Sequence, residues 1–305
     1  MSDATWSPLR GTTVVLRRRP RLLPALGKGV LTGIGKRPHP DAAPPPTRLV
    51  LPAARIDAAQ VAAYAQVCGF PTTGPLPLTY PHILGFPLAA RLMGARAFPL
   101  PLLGLVHTTL EIEQYAALEA DDLLELAVYA EGLRAHRRGT EVVMTTEVWR
   151  AGRLVWVDRS GYLARHGAAD GLSGPVEPGP APGEAAAEPL PIRAEWPLAA
   201  DLGRRHAAVS GDYNPIHLHP LTARPLGFRR AIAHGMWSAA RCAAEAVPAG
   251  AASVRLMAAF RAPVLLPGTV AYAQEDARDG TGCAFQLRGG GGAAERVHLF
   301  GTVAA

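Results

Sequence analysis

The sequence predicts an α+β chain made of two like units, each an antiparallel sheet wrapped around one buried helix. Three observations predict it. The 305 residues divide at Asp170–Pro191, DGLSGPVEPGPAPGEAAAEPLP, a Pro, Gly and Ala stretch with scattered acids that cannot bury a core and reads as a linker. Helix-like segments recur in the same order on both sides of it. Strand-like runs follow the second helix on each side. The units are therefore expected at residues 1–169 and 192–305, joined by 170–191.

The elements follow in order. Asp57–Phe70 reads as a helix opened by Asp57 as N-cap, and Leu198–Asp212 reads as its counterpart. Both are alanine-rich, with no internal proline. Aligned on their glycines, YAQVCGF (Tyr64–Phe70) lies over HAAVSGD (His206–Asp212). The second helices are Thr79–Gly94 and Arg230–Val247. The latter is apolar or small on nearly every face, as a helix enclosed by a sheet would be. Strand-like runs then include TEVVMTTEVWR and RLVWVDRSGYLAR in the first unit, and TVAYAQED and RVHLFGTVA in the second.

Composition excludes several classes. Net charge is +6, carried almost wholly by arginine, and suits anionic ligands such as phosphorylated cofactors or an acidic carrier protein. The one dense basic run, Arg17–Arg21, has no flanking aromatics for base stacking and reads as a solvated face, so nucleic acid is not an expected partner. Cys68, Cys242 and Cys283 are far apart with no C-x-x-C, which argues against a disulfide framework and for a reducing compartment. No leader-like or membrane-spanning run is present, and a soluble cytoplasmic protein is expected.

The chemistry concentrates in SGDYNPIHLHP, Ser210–Pro220. Asp212, Asn214 and His217 form D-x-N-P-x-H. Pro215 pushes Asn214 toward extended geometry, so the segment is expected to be a loop. A carboxylate and an imidazole aimed from it at one small polar atom form a general acid/base pair. Downstream, AHGMWS places Gly235 at the start of the buried helix. Unpaired N–H groups and the helix dipole favour negative charge there, and glycine lets a ligand carbonyl approach closely. Such a donor suits the enolate oxygen formed when a proton leaves the carbon beside a thioester.

D-x-N-P-x-H followed by A-H-G-M resembles the signature of the MaoC-like, or R-specific enoyl-CoA hydratase 2, family and its double-hotdog 3-hydroxyacyl-thioester dehydratases. The likeness to single-domain hydratases covers Trp196 to the C-terminus; PLTYPHILGFPLAARLM and FPLPLLGLVH extend it to the first unit as a first hotdog. The resemblance implies a double hotdog that reversibly removes water from an (R)-3-hydroxyacyl thioester to give the trans-2-enoyl thioester, with no metal or redox cofactor. Asp212 and His217 would share the proton transfers, Asn214 would hold the loop, and the Gly235 N–H would receive the thioester oxygen. His234 and Met236 are expected at the substrate. Some relatives carry a helix serine eight residues after that glycine, where this chain has Ala243. In the first unit Phe70 stands where Asp212 stands, Ile83 falls opposite Gly235, and D-x-N-P-x-H is missing. That unit is expected to have kept the fold and lost the chemistry, with Phe70 lining room for a long acyl chain. The substrate could ride on CoA or on acyl carrier protein, and a homodimer is possible.

Simpler readings stand beside these. Asp212 and Asn214 are common turn formers. His219 could pair with His217 on a metal, but further ligands are not evident, and a surface or structural role is expected. His234 is expected to cap or pack at the helix start. Ser210 and Ser238 lie outside a G-x-S-x-G elbow, which excludes a serine hydrolase. Gly27–Lys36, GKGVLTGIGK, is no P-loop and reads as a surface loop or a lid. Two other functions remain: a hotdog acyl-CoA thioesterase, and a non-catalytic acyl-thioester-binding subunit.

Overall fold

The architecture is that of a double hotdog, and its strands run outward from the centre in the same order in both halves, apart from one extra edge strand in the first. A computed structural model describes residues 11–166, 189–290 and 296–305, except 34, 37, 40 and 103. The linker expected at 170–191 thus lies almost wholly outside the described residues. The first half runs β1 (Thr12–Val15), α1 (Leu22–Gly33), β2 (Thr47–Ala54), α2 (Ala58–Cys68), α3 (Tyr80–Met93), β3 (Val106–Gln114), β4 (Leu124–His136), β5 (Gly139–Arg150) and β6 (Arg153–Arg165). The second runs β7 (Ile192–Leu198), α4 (Leu202–Ser210), α5 (Pro215–Leu218), α6 (Pro220–Ala223), α7 (Gly235–Ala246), β8 (Val254–Phe260), β9 (Gly268–Asp276), β10 (Gly282–Gly289) and β11 (Val297–Ala304). No helix among these is long and apolar enough to cross a membrane.

The strands form one sheet in the order β1-β2-β4-β5-β6-β3-β8-β11-β10-β9-β7. Reading outward from β3 and β8, the halves contribute five equivalent strands in the same sequence, and β1, parallel to β2, is an extra edge strand of the first half; the repeat expected from the helices thus extends to the sheet. The two expected sheets join edge to edge where β3 pairs antiparallel with β8, Thr109 opposite Ala259 through Gln114 opposite Val254. That pairing satisfies two edges that separate units would leave open.

Each central helix packs inside its sheet. Every residue of α3 is buried except Phe86 and Arg91, and α7 buries Met236, Trp237, Ser238, Ala239, Ala240, Cys242, Ala243 and Ala246. Asp57 caps α2, its carboxylate accepting from the Ala59 and Gln60 N–H groups, and Gly69 at φ 81° ends it. The halves are tied across their helices: Trp237 Nε1 donates to the Val67 carbonyl at 3.0 Å, and Gln60 Nε2 to the Val209 carbonyl at 3.2 Å.

Two expectations at the N-terminus are corrected. The run Arg17–Arg21 is not wholly solvated, because Arg19 turns inward and donates to the Ile83 carbonyl at 2.9 Å. The cause is Pro87, inside α3. Ile83 is four residues before it, and proline has no N–H to complete that helical bond. The glycine-rich run expected as a loop or lid is mostly helix α1, which packs on α3. Thr32 Oγ1 donates to the Gly94 carbonyl at 2.9 Å and Lys36 Nζ to the Ala95 carbonyl at 3.0 Å, so tertiary contacts override the weak helix propensity of its glycines.

Candidate active site

A pocket of about 350 Å³ opens where the halves meet, and both halves line it. Asp212, Asn214, His217, His234, Gly235 and Met236 all lie on its wall. Phe70 does not. It packs against the core on the turn after α2, because Gly69 ends that helix and turns the chain away. The assignment of Phe70 to the substrate is therefore corrected.

Gly211 at φ 77° terminates α4 and releases the chain toward the pocket. Asp212 Oδ1 then accepts from the Asn214 N–H at 3.1 Å, and Asn214 Oδ1 from the Ile216 N–H at 3.4 Å. The segment expected to be a loop contains a single helical turn, α5. Pro215 takes its first position, where a missing N–H costs nothing, and Asn214 caps it. His217 thus sits on a rigid turn. Its Nδ1 lies 2.8 Å from the Ile232 carbonyl, so Nδ1 carries the proton and Nε2 keeps its lone pair. Gly203 of α4 sits against the His217 backbone: a Cβ there would lie 1.9 Å from the His217 carbonyl oxygen. Only glycine permits that approach.

His234 stacks on His217, ring centres 3.7 Å apart, and bonds through Nε2 to the Asp212 carbonyl at 2.9 Å. Its backbone occupies the N-cap position of α7, but its side chain makes no cap bond. His206 packs beside it, 4.5 Å between ring centres. Burial, and then repulsion from His234, lowers the pKa of His217 to about 3, with Asp212 opposing the shift. Burial lowers His234 to about 4. Both imidazoles are neutral near pH 7.

The candidate ligating atoms of Asp212, His217 and His234 lie within 4.8 Å of one another. Two ring planes only 25° apart, with centres 3.7 Å apart, meet far beyond the roughly 2.0–2.1 Å of a metal–nitrogen bond. The group therefore suits proton handling better than metal ligation. His219 stands apart, exposed, its Nδ1 accepting from the Leu221 N–H at 3.2 Å.

Gly235 opens α7, ahead of its first intrahelical bond, Ser238 N–H to the His234 carbonyl. A Cβ on Gly235 would meet Phe260 Cε1 at 3.2 Å and His107 Cβ at 3.4 Å. Ser238 lines the pocket, whereas Ala243 is buried outside it.

Sequence reasoning expected the first half to line the acyl site through Phe70 and missed the residues that do line the pocket. His82 of α3, His107 of β3 and Tyr162 of β6 line the same pocket. One signal was available: the register that sets Ile83 opposite Gly235 also sets His82 opposite His234. Five exposed arginines, Arg134, Arg137, Arg138, Arg165 and Arg261, also line it. The pocket therefore combines an apolar interior, a carboxylate–imidazole pair, free helix N–H groups and basic residues in contact with water.

Comparison with known proteins places the chain in a family. Residues 183–283 match the family described as MaoC like domain. The 3-hydroxyacyl-thioester dehydratase X of Mycobacterium tuberculosis is 40% identical over 214 residues, 70% of this chain and 75% of that protein. A crystal structure of HtdX from M. tuberculosis matches with a TM-score of 0.71 at 35% identity, over 84% of this chain and 99% of that one. A MaoC-like dehydratase from Phytophthora capsici shares the fold at TM-score 0.61 and 18% identity, over 85% of this chain and 95% of that one.

Proposed function

The chain belongs to the MaoC-like dehydratase family, and from that premise we propose that its pocket interconverts (R)-3-hydroxyacyl thioesters and trans-2-enoyl thioesters. The observation that carries this reading is the convergence of Asp212, His217 and Gly235 on one cavity. In the dehydration direction His217 Nε2 takes the proton from C2. The electron pair passes into the thioester, whose oxygen gains negative charge against the Gly235 N–H. The C3–O bond then breaks, and the imidazolium returns the proton to the departing hydroxyl on the same face, as syn elimination requires. Water leaves and His217 is neutral again. Asp212 steadies the transient imidazolium and orients the hydroxyl. Asn214 fixes the turn that carries both groups, and His234 and Met236 frame the thioester.

The exposed arginines support a substrate whose thiol arm ends in phosphate, as in CoA and in the phosphopantetheine of acyl carrier protein. The first half has no D-x-N-P-x-H of its own and acts as a wall of the second half's site. The assignment is tested by supplying a trans-2-enoyl-CoA and following both product and thiol. Stoichiometric (R)-3-hydroxyacyl-CoA with no free thiol is the expected result. Free CoA would mean a thioesterase, and binding without turnover would mean a carrier subunit.

A further inference from the structure

The first half places a second carboxylate–imidazole pair at the pocket. His82 Nδ1 lies 2.5 Å from Asp158 Oδ2, with side-chain exposures of 6% and 1%. His82 lines the cavity, and Asp158 stands behind it. With Nδ1 held by the carboxylate, Nε2 is the ring nitrogen left for a ligand. His82 also stacks on His107, ring centres 6.0 Å apart, and His107 on Tyr162 at 4.7 Å. Two buried polar atoms of this cluster, Asp158 Oδ1 and His107 Nε2, have no hydrogen-bond partner among the described residues.

The level of the pair in the pocket follows from strand β6. Asp158 and Tyr162 share a face, about 13 Å apart at about 3.3 Å per residue. Tyr162 pairs with His107, whose Cβ abuts Gly235, so this is the level of the thioester carbon. Arg165, exposed at the end of β6, lies on the other side of Tyr162 from Asp158. A phosphate-bearing arm held at Arg165 and the His82–Asp158 pair would therefore lie on opposite sides of the reacting centre. His82, Ile83 and Phe86 line the pocket together, and an acyl chain running from the thioester level away from Arg165 would pass them a few carbons beyond C3.

A plain hydrocarbon chain at that point would cover His82 Nε2 and His107 Nε2 without satisfying either. Leaving buried polar groups unpaired is what lets a site discriminate strongly against a ligand that lacks the matching group. We infer that the His82–Asp158 pair is a specificity site that accepts a hydrogen bond from a hydroxyl on the acyl chain beyond C3. The preferred substrates are thus oxygenated acyl thioesters rather than plain fatty acyl ones. This rests on the hydratase reading above and adds to it the class of acyl group.

The test compares hydration of the CoA thioesters of trans-2-hexenoic acid and 5-hydroxy-trans-2-hexenoic acid. The wild-type protein is expected to favour the 5-hydroxy substrate by about tenfold in kcat/KM, the worth of one net hydrogen bond. In His82→Leu the ratio should fall to about one while the plain substrate is still hydrated. Because His82→Leu strands Asp158, the double variant His82→Leu/Asp158→Leu is run beside it, removing both polar partners together. The ratio is independent of the fraction folded, so lost stability does not imitate lost preference. A wild-type ratio near one, or a preference kept in both variants, overturns the inference. Turnover of neither substrate by the wild-type protein overturns the hydratase reading beneath it.

Discussion

His217 Nδ1 lies 2.8 Å from the carbonyl oxygen of Ile232, and this one bond decides which nitrogen of the ring faces the pocket. Ile232 is itself pinned, its N–H donating to the Ile216 carbonyl at 3.1 Å, one residue before His217. The short turn α5 and the strand-like approach to α7 therefore fix each other. A base on such a frame holds its lone pair in one direction before substrate arrives.

The protonation of this cluster makes stability pH-dependent. In the unfolded chain the imidazoles bind protons below about 6.5. In the folded chain His217 does so only near 3 and His234 near 4. The unfolded state thus binds more protons between those limits, so stability is full above pH 6.5 and is lost as pH falls toward 3. Melting temperature should drop steadily from pH 7 to pH 4.5. The drop should be shallower in His234→Gln. A melting temperature flat across that range would contradict neutral buried histidines.

Gly235→Ala tests the helix start as the thioester site. An added methyl would press on Phe260 and His107. It would also stand in the path proposed for the thioester carbonyl. Alanine is no worse than glycine for the helix itself. The expected outcome is a fall of about 10²–10³ in kcat with little change in melting temperature, the size seen when one oxyanion donor is lost.

Gly203→Ala should act through His217. Its Cβ would collide with the His217 carbonyl oxygen and push α5 away from α4. Activity should fall at least tenfold and the protein should melt earlier, by a shift equivalent to about 1–3 kcal/mol. Wild-type activity in this variant would show that the position of α5 is not critical.

Arg19 and Pro87 should be coupled. Arg19→Leu leaves the Ile83 carbonyl without its donor and should cost about 1–3 kcal/mol. Pro87→Ala supplies a backbone N–H to the same carbonyl, so the arginine should matter less in that background. A double-mutant cycle by chemical denaturation measures the difference.

What could be read from the sequence was what is local in it. Asp212, Asn214 and His217 lie within six residues of one another and the glycine opening α7 lies 18 residues after His217, so the spacing alone suggested that they converge. The partners of the first half are not local. His82 and Asp158 are 76 residues apart, and only the packing of α3 on the sheet joins them. Proline misled at Pro215, which reads as a breaker but starts a turn of helix. Pro87 gave no sign in the sequence that the Ile83 carbonyl it leaves open would recruit Arg19, 64 residues before Ile83. The outer strands β2 and β7 escaped notice because Pro52 and Pro197 interrupt them. Each sits where the ladder tolerates it, Pro52 at a register shift and Pro197 on the last strand of the sheet.

The central claim is that Asp212 and His217 carry out the hydration chemistry together. The most direct measurement is the loss of conjugated enoyl-thioester absorbance with the wild-type protein, Asp212→Asn and His217→Ala, free thiol being followed in the same cuvette. The account predicts loss of absorbance without thiol release in the wild type, and rates lower by about 10²–10⁴ in each variant, the range for removing a positioned acid or base. Wild-type rates in either variant would contradict it.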